Sequence, residues 1–418
     1  MGVDILNIGV SGLSAAQRQL MTTSHNVSNV NTEGYSRQSA EQEATLPSYY
    51  TGTGFIGTGV SVQTTVRMSD EFLERQIREA NSDYGQYNAF YDMASQIDDL
   101  LADPQTGLTP TIESFYSALQ EANDDPSSNS TRQVLLSEAN VLTDRFQLID
   151  NRFVELNNQV NEHITNITNE ISTIAKTIAR FNVEIIRLTG IGNGNTPNDI
   201  LDQREVLIKE LSKKIDISVV YQDDGAANIF IGSGQTLVIS GTAATMSSEI
   251  NKYNSLQQDI ILTRGNAKEY ISGSISGGEL DGILNFREEL LYPSINSLGR
   301  IAIALSEEMN TQNRLGMTLQ ARSEPFPLGD DFFSSLTNVP QVLDGQNNST
   351  GIYSAAIDDS KILTISDYQL DVTAAGAGYQ LTRLSDNSIL YSGAVLTELQ
   401  DAALQEGFSI AETSIPSV

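Results

Sequence analysis

Residues 131–189 read TRQVLLSEANVLTDRFQLIDNRFVELNNQVNEHITNITNEISTIAKTIARFNVEIIRLT, and apolar residues recur through them at steps of three and four. This spacing is typical of one face of an α-helix. The repeating positions are Leu142, Phe146, Ile149, Phe153, Leu156, Val160, His163, Ile167, Ile171, Ile174, Ile178, Phe181, Ile185 and Leu188. Two consecutive steps of four after His163 form a stutter, which locally unwinds a coiled coil. A helix over this stretch would be about 85–90 Å long at 1.5 Å per residue, which predicts an elongated rod.

Two further helical patterns accompany this long segment. One runs from Asp70 to Asp103 and carries Tyr84, Tyr87 and Tyr91 at helical spacing, which favours packing of the three rings in a core. The other runs from Glu279 to about Asn313, with one apolar stripe that can lie against the first helix. The sequence therefore predicts long, antiparallel, coiled-coil-like helices.

Strand patterns are confined to short regions. Asp223-Asp224-Gly225 separates two β-branched runs and is a strong hairpin signal, so a β-hairpin unit is expected at about 215–264. Alternating segments at 361–365, 379–384 and 389–392 predict a β domain after about 345. The expected fold class is mainly α with small β domains, an α+β architecture.

The first thirty residues carry a separate heptad pattern. Leu6, Leu13, Leu20 and Val27 recur every seven residues, and a second set follows three positions behind each of them. The second set comprises Gly9, Ala16, Thr23 and Val30. Such a stripe is typical of a helix that pairs with another helix, and its small residues allow close approach. These eight residues are the predicted assembly interface, and a helix with so narrow a stripe needs a partner.

Composition excludes several classes of function. The 418 residues include 24 Lys and Arg against 53 Asp and Glu, a net charge of −29, which argues against nucleic acid and anionic membrane as partners. The sequence has no Cys and two His, so it offers no thiol nucleophile or thiolate zinc site. No apolar run is long enough to span a membrane, and the start lacks the pattern of a cleaved signal peptide.

No pattern in the sequence predicts an enzyme, a cofactor or a metal site. Gly52, Gly54 and Gly57 match the spacing of a dinucleotide fingerprint, but a β-branched stretch follows them where that fingerprint needs a helix. Paired aspartates, such as Asp330-Asp331, lack the remaining ligands of a calcium loop and are interpreted as turns. His25 and His163 are interpreted as packing or surface residues, with His163 in a core or an interhelical hydrogen bond.

The N-terminus resembles a known family. The N-terminal sequence blocks that carry the resemblance are Ser11-Gly12-Leu13, an Asn-x-x-Asn-x-x-Thr-x-Gly element, and Tyr35-Ser-Arg-Gln38. The motif residues are Ser11, Gly12, Leu13, Asn26, Asn29, Thr32, Gly34, Tyr35 and Arg37. Further blocks are 57–62, Asn198-Asp-Ile-Leu-Asp-Gln-Arg204 with Asp223-Asp-Gly225, and 276–282 with Asn285-Phe-Arg287. Together they are similar to the hook-associated protein 1 (FlgK) family of bacterial flagellar hook–filament junction proteins.

The resemblance implies a non-enzymatic structural protein of the flagellum, and therefore of motility. It implies export through the type III apparatus without a cleaved signal peptide, with an export chaperone as a partner. It also implies a homo-oligomeric ring of about eleven copies, with hook protein below and the second hook-associated protein above. A second heptad helix is expected at the C-terminus, and this chain ends before it.

The expected domains are an axial helix with an extended segment (1–66), a helical rod with an inserted β unit (67–320), a linker (321–345) and the start of an outer β domain (346–418). Three alternatives remain open at this point. The chain could be another flagellar axial protein, such as hook or distal rod protein, or an exported adhesin or glycan-binding module. A secreted hydrolase on a rod would need a carboxylate pair that spacing cannot reveal.

Overall fold

The computed structural model describes residues 2–50, 54–101, 107–192, 195–317, 328–334, 352–372 and 378–413. Its helices are α1 (Gly2–Ser28), α2 (Glu71–Leu101), α3 (Leu108–Asp124), α4 (Asn129–Ile191), α5 (Asn198–Lys214), α6 (Gly278–Asn285), α7 (Tyr292–Arg314) and α8 (Leu396–Gln405). A π-helical segment, Phe286–Leu291, joins α6 to α7.

The strands are short and antiparallel. They are β1 (Gln38–Ala44), β2 (Ser48–Tyr50), β3 (Gly54–Ile56), β4 (Val60–Arg67), β5 (Ile217–Tyr221), β6 (Ala227–Ile231), β7 (Gln235–Ile239), β8 (Thr242–Ala243), β9 (Thr245–Ile250), β10 (Gln258–Arg264), β11 (Ala267–Tyr270), β12 (Ile352–Ile357), β13 (Tyr368–Val372), β14 (Tyr379–Arg383), β15 (Ser388–Gly393) and β16 (Phe408–Thr413). Long helices with small antiparallel sheets confirm the predicted α+β class.

The chain divides into two compact units. Unit 1 contains Met1–Tyr91, His163–Glu249 and Asp259–Ile283. Unit 2 contains Asp92–Glu162, Ile250–Gln258 and Leu284–Val418. The predicted domain bounds at 66, 320 and 345 stay a prediction, and most of the expected linker lies outside the described residues.

The long helix α4 contains most of the predicted apolar stripe, and its buried line includes Leu142, Phe153, Ile171 and Ile185. The placement of His163 in a core was wrong, because His163 is exposed and Ile164 is fully buried. The buried line steps by four from Leu156 through Val160 to Ile164. The stutter therefore lies seven residues, or about two helical turns, earlier than the sequence indicated, and it turns His163 to solvent.

In unit 1, the β strands pack against the second half of α4 and against α5. The sheets have the orders β5-β6-β7-β8 and β11-β10-β9, and the predicted hairpin turn has Gly225 at φ +89°. Ser172 of α4 accepts a hydrogen bond from the Met246 amide (2.7 Å) and donates to the Met246 carbonyl (2.6 Å). One buried hydroxyl thus satisfies both backbone groups of Met246 in β9.

The three tyrosines of α2 are not in a core, which corrects the sequence interpretation. Tyr84, Tyr87 and Tyr91 are 69–71% exposed. The opposite face of α2 is buried and includes Arg78 and Ser82. Because that face carries polar residues, hydrophobic periodicity pointed to the wrong side of the helix.

In unit 2, two hydrophobic clusters form the core. One joins Phe115 of α3 and Leu142 of α4, with Leu305 and Met309 of α7 packed against them. The predicted helix from Glu279 to Asn313 is accordingly helical, with the π segment inside it. The other cluster lies in the β region after 352, where α8 packs on β14, β15 and β16.

The strand predicted at 361–365 is absent from the described residues 352–372. Asp359 Oδ1 accepts the amide of Lys361 at 2.9 Å and forms a local turn there. The dinucleotide-like glycines also form no nucleotide site in the part of the chain that the structure describes, because Gly54–Ile56 and Val60–Arg67 are strands. Gly52 lies outside the described residues.

Candidate N-terminal assembly surface and its joint

The predicted interface residues of α1 lie on the surface of unit 1. Leu6, Leu13, Leu20 and Val27, called the leucine face from here on, are 63–72% exposed. Gly9, Ala16, Thr23 and Val30 are exposed as well, and so are three further apolar residues: Ile5, Val10 and Met21. Exposed apolar faces of this kind are typical of protein–protein interaction sites.

The opposite face of α1 packs on the ribbon of β1 and β4. Ala15 is buried there, and Ser11 Oγ accepts the amide of Val60 at 3.2 Å while donating to the Ile8 carbonyl at 2.8 Å. Gly59 is adjacent at φ +121°, where a Cβ would lie 2.3 Å from Ser11 Oγ. The helix therefore packs small and polar residues against the ribbon and leaves the leucine face largely exposed.

Asn26 joins the end of α1 to β1. Its Nδ2 donates to the Gln38 carbonyl (2.8 Å), and its Oδ1 accepts the Gln38 amide (2.9 Å). The Tyr35 hydroxyl donates to the same Oδ1 at 2.7 Å. His25 Nδ1 lies 3.0 Å from that hydroxyl, whose proton is already directed to Asn26, so His25 Nδ1 is the donor.

The chain between α1 and β1 is held in a tight turn. Asn29 Nδ2 donates to the His25 carbonyl (3.0 Å), and the Thr32 amide donates to the Asn29 carbonyl (2.9 Å). Gly34 has φ +75°, a left-handed backbone conformation that favours glycine. A Cβ at Gly34 would lie 2.0 Å from Cγ2 of Val206, so glycine is needed for space as well as for conformation.

The turn and the ribbon are anchored on the first turns of α5. Asp202 Oδ2 accepts the Ser36 amide (2.9 Å), and Asp202 Oδ1 accepts Nη1 of Arg67 (3.0 Å). Asp199 Oδ1 accepts Nε2 of Gln38 at 2.8 Å, and Asn198 donates to the Thr65 carbonyl at 2.6 Å. Together, the residues that link α1, the ribbon and α5 form what we call the joint: Asn26, Asn29, Thr32, Gly34, Tyr35, Gln38, Arg67, Asn198, Asp199 and Asp202.

The electrostatics of the joint follow from its two carboxylates. Burial raises the pKa of the Tyr35 hydroxyl, and the negative charges of Asp199 and Asp202 raise it further. Tyr35 therefore stays a neutral donor to Asn26. Arg67 balances Asp202 and also lies 3.8 Å from Glu205, so the acidic end of α5 is partly neutralised.

A buried network continues from α5 into the core of unit 1. Arg204, which is 1% exposed, donates through Nη1 to Asn182 Oδ1 (3.0 Å) and to the Gly225 carbonyl (2.6 Å). Asn182 of α4 is fully buried, accepts the Ala227 amide (3.0 Å) and donates to the Ala227 carbonyl (2.8 Å). Desolvation lowers the pKa of Arg204, and the carboxylate of Glu205 opposes that shift.

The structure brings together most of the residues that carried the family resemblance. Asn26, Asn29, Thr32, Gly34 and Tyr35 lie in the joint, and the block 198–204 supplies its acidic partners. Gly12, Leu13 and Arg37 are exposed instead. Sequence reasoning missed Arg67, Asp202 and Asn182 as individual residues, although the motif block that contains Asp202 was the available signal.

The described part of the chain contains no group of three or more His, Asp or Glu residues placed to hold a metal ion. Among those same residues, no helix is both long and apolar enough to cross a membrane. What the site does offer is the exposed leucine face, which can bury apolar surface against another polypeptide.

Family models match two parts of the chain. The model for the flagellar hook-associated protein FlgK helical domain matches residues 94–333. The model for the flagella basal body rod protein matches residues 6–35, the segment that contains the leucine face.

Individual relatives agree with these matches. Flagellar hook-associated protein 1 of Salmonella typhimurium is 33% identical, over 92% of this chain and 68% of the relative. The protein of the same name from Escherichia coli K12 is 30% identical, over 99% of this chain and 74% of the relative. The protein of the same name from Bacillus subtilis is 26% identical, over 77% of this chain and 68% of the relative.

A solved structure has a similar fold. The flagellar hook junction protein FlgK from Burkholderia pseudomallei superposes with a TM-score of 0.69 at 22% identity, covering 82% of this chain and 61% of that one. The chain thus spans about two thirds of the length of these proteins. Sequence, family models and fold agree, and the chain belongs to the FlgK family of flagellar hook-associated proteins, which are structural and not enzymes.

Proposed function

We propose that this chain is a junction protein between hook and filament, and that it assembles through the leucine face of α1. The observation that supports this most directly is the exposure of Leu6, Leu13, Leu20 and Val27 on a helix whose other face is already packed. Burial of such side chains contributes about 1.5–3 kcal/mol each. Assembly would supply that burial.

The partners follow from the family. We propose a ring of about eleven copies, with hook protein on one side and the second hook-associated protein on the other. The chain would reach the outside of the cell through type III export, with an export chaperone and without a cleaved signal peptide. This proposal includes the eight interface residues predicted in the N-terminal heptad, and it includes the domain bounds predicted at 66, 320 and 345.

Between the structural alternatives, one observation favours a junction protein over hook or rod protein. The rod model matches residues 6–35 alone, whereas the FlgK helical domain model matches 94–333. The N-terminal helix is therefore a feature shared with rod proteins, and the larger helical region distinguishes this chain from them.

The test is co-sedimentation of the full chain with purified, uncapped hooks. The variant Leu13→Gln/Leu20→Gln keeps good helix formers on α1 but removes the centre of the leucine face. The control Ser14→Ala/Gln19→Ala changes two exposed positions of the same helix outside that face. We expect saturable binding for the parent and the control, and at least a tenfold loss for the leucine variant, as about 1.4 kcal/mol of lost burial would give.

Two results would contradict the proposal. If the parent chain fails to bind uncapped hooks, the junction assignment is wrong for this chain. If the leucine variant binds as tightly as the control, assembly uses some other surface. Far-ultraviolet circular dichroism of each variant shows whether the helices are retained.

A further inference from the structure

The C-terminal part of the described chain has a hydrophobic core of its own. We call this part the β region; it comprises residues 352–372 and 378–413, with β12–β16 and α8. Its buried side chains include Leu399 and Phe408, and the partly buried apolar residues packed against them belong to the β region as well. The core cluster of α3, α4 and α7 has no described member in the β region. The β region can therefore keep its core while its position on the helices changes.

The contacts that join the β region to α7 are polar and lie at the surface. Asn296 of α7 donates through Nδ2 to the Ile365 carbonyl and to Oδ1 of Asp367, both at 3.1 Å. Lys361 Nζ lies 2.7 Å from Oε1 of Glu308, and these two side chains are 72% and 60% exposed. A small polar contact between two separately packed parts of a chain makes relative motion the expected behaviour.

Lys361 is a cation with carboxylates on both sides. Glu307 and Glu308 belong to α7, and Asp359 lies two residues before Lys361 in the β region. The hydrogen bond and the negative charge of Glu308 raise the pKa of Lys361, and Asp359 and Glu307 raise it further, so the lysine is charged at neutral pH. Reversing that charge would leave carboxylates facing one another across the contact, and like charges repel.

We propose that the β region moves on α7 as one rigid part, between a docked and an undocked position, and that the Lys361–Glu308 ion pair holds the docked position. This motion does not depend on the proposed function, because both positions belong to a single chain. An ion pair between exposed side chains is weak and is screened by salt, so both positions should be populated and salt should favour the undocked one. Domain motions of this kind take microseconds to milliseconds.

Double electron–electron resonance between two spin labels on the full chain tests the motion. The natural sequence has no Cys, so two introduced thiols are the only labelled positions. The reporting pair is Asn140→Cys on α4 and Thr397→Cys on α8, and the reference pair is Asn140→Cys with Gln120→Cys on α3; all three positions are exposed. For the reporting pair, we expect the ratio of docked to undocked molecules to fall at least about threefold between about 0.05 and 0.5 M NaCl. The distance of the reference pair should stay constant.

Charge reversal tests the role of the ion pair. Lys361→Glu should lower the ratio of docked to undocked molecules at least about threefold at low salt, because repulsion replaces attraction. Lys361→Glu/Glu308→Lys should restore the ratio, because the same ion pair forms with its ends exchanged. Arg187→Glu is the matched control, since it makes the same change of charge at an exposed ion pair of α4, and it should leave the ratio unchanged.

A single narrow distance distribution that neither salt nor charge reversal changes would overturn the inference. A double reversal whose ratio stays as low as that of Lys361→Glu alone would also overturn it, because another contact would then hold the docked position. If Lys361→Glu loses its helical circular dichroism signal, Lys361→Gln and the salt series of the parent chain make the same comparison.

Discussion

Arg67 and Asp202 are 135 positions apart in the sequence and form an ion pair, with Nη1 of the arginine 3.0 Å from Oδ1 of the aspartate. Both side chains are largely buried. The pair connects the end of β4 to α5, and the other oxygen of Asp202 holds the amide of Ser36 beside β1. One carboxylate therefore fixes both strands of the ribbon that supports α1.

Asp202→Asn should destabilise unit 1. The amide keeps the size of the side chain but removes the charge that balances Arg67, and a hydrogen bond to a charged group contributes about 1.5–3 kcal/mol. We expect the free energy of unfolding to fall by about 2 kcal/mol in urea denaturation. The matched control is Glu155→Gln, which breaks an exposed pair with Arg152 and should change the free energy of unfolding by less than about 0.5 kcal/mol. Equal effects of the two variants would show that the joint is not held by this pair.

Gly34→Ala should destabilise the joint through both conformation and space. The position has φ +75°, and the new Cβ would lie 2.0 Å from Val206 Cγ2. We expect a loss of about 1–3 kcal/mol by thermal or urea unfolding. In Gly9→Ala, an exposed glycine of α1 with open space around it, the same change should raise stability by about 0.5–1 kcal/mol.

The double variant Gly34→Ala/Val206→Ala separates the two contributions. If the clash dominates, removing the valine methyls should recover most of the lost stability. If the left-handed backbone dominates, the double variant should be no more stable than Gly34→Ala. A neutral Gly34→Ala would contradict both readings.

Asn182→Ala should be among the most damaging single changes in unit 1. It removes the side-chain partner of buried backbone groups at Ala227 and Ser240, and it removes one of the partners of the buried Arg204. Because unsatisfied buried groups each cost about 1–3 kcal/mol, we expect a loss of at least about 3 kcal/mol. Thr173→Ala, at an exposed position of the same helix, is the control and should lie within about 0.5 kcal/mol of the parent. If Asn182→Ala and Thr173→Ala unfold at similar urea concentrations, Asn182 does not have this stabilising role.

Asp216→Asn should stabilise the chain at neutral pH. Burial raises the pKa of Asp216, and the nearby carboxylates of Glu79 and Asp83 raise it further, while the Ile217 amide partly offsets the shift. A raised folded pKa means that the ionised form is disfavoured in the folded state. Stability linked to this group is therefore highest when the group is protonated, and it is lost as pH rises through the folded pKa.

The advantage of the asparagine variant should thus shrink as pH falls and vanish below about pH 3.5, where the aspartate is protonated in both states. Urea midpoints of parent and variant across a pH series measure it. Glu184→Gln should change stability in the opposite direction, because the hydrogen bond from Arg187 lowers the pKa of Glu184. This variant should be less stable than the parent at neutral pH, and the difference should shrink as pH falls. A pH-independent gap for Asp216→Asn would rule out the carboxylate as its cause.

Local patterns predicted the elements of this fold well. The hairpin turn at Asp223-Asp224-Gly225 and the long helix α4 follow from turn chemistry and periodicity, which depend on neighbours in sequence. The errors arose where burial depends on distant residues. Tyr84 was expected in a core because sequence cannot show that Arg78, on the opposite face, is the buried side chain.

The part of the candidate site that depends on local sequence pattern was predictable, and the part that depends on distant residues was not. The leucine face is a repeat within one helix, so the sequence alone indicated it. The joint depends on contacts such as Ser36 with Asp202, 166 positions apart, and no periodicity connects them. Resemblance supplied both motif blocks, and only the three-dimensional structure shows that they meet.

The order of features along α1 makes this protein a natural host for chimeras. Leu6, Leu13 and Leu20 precede Asn26, where the joint begins, and only Val27 of the leucine face follows it. A helix from another axial protein could replace residues up to about 24 without changing the joint, provided that Ser11 and Ala15 are kept for packing on the ribbon. Under the proposed function, exchange of that short segment would change which polymer the chain joins while the rest of the chain stays the same.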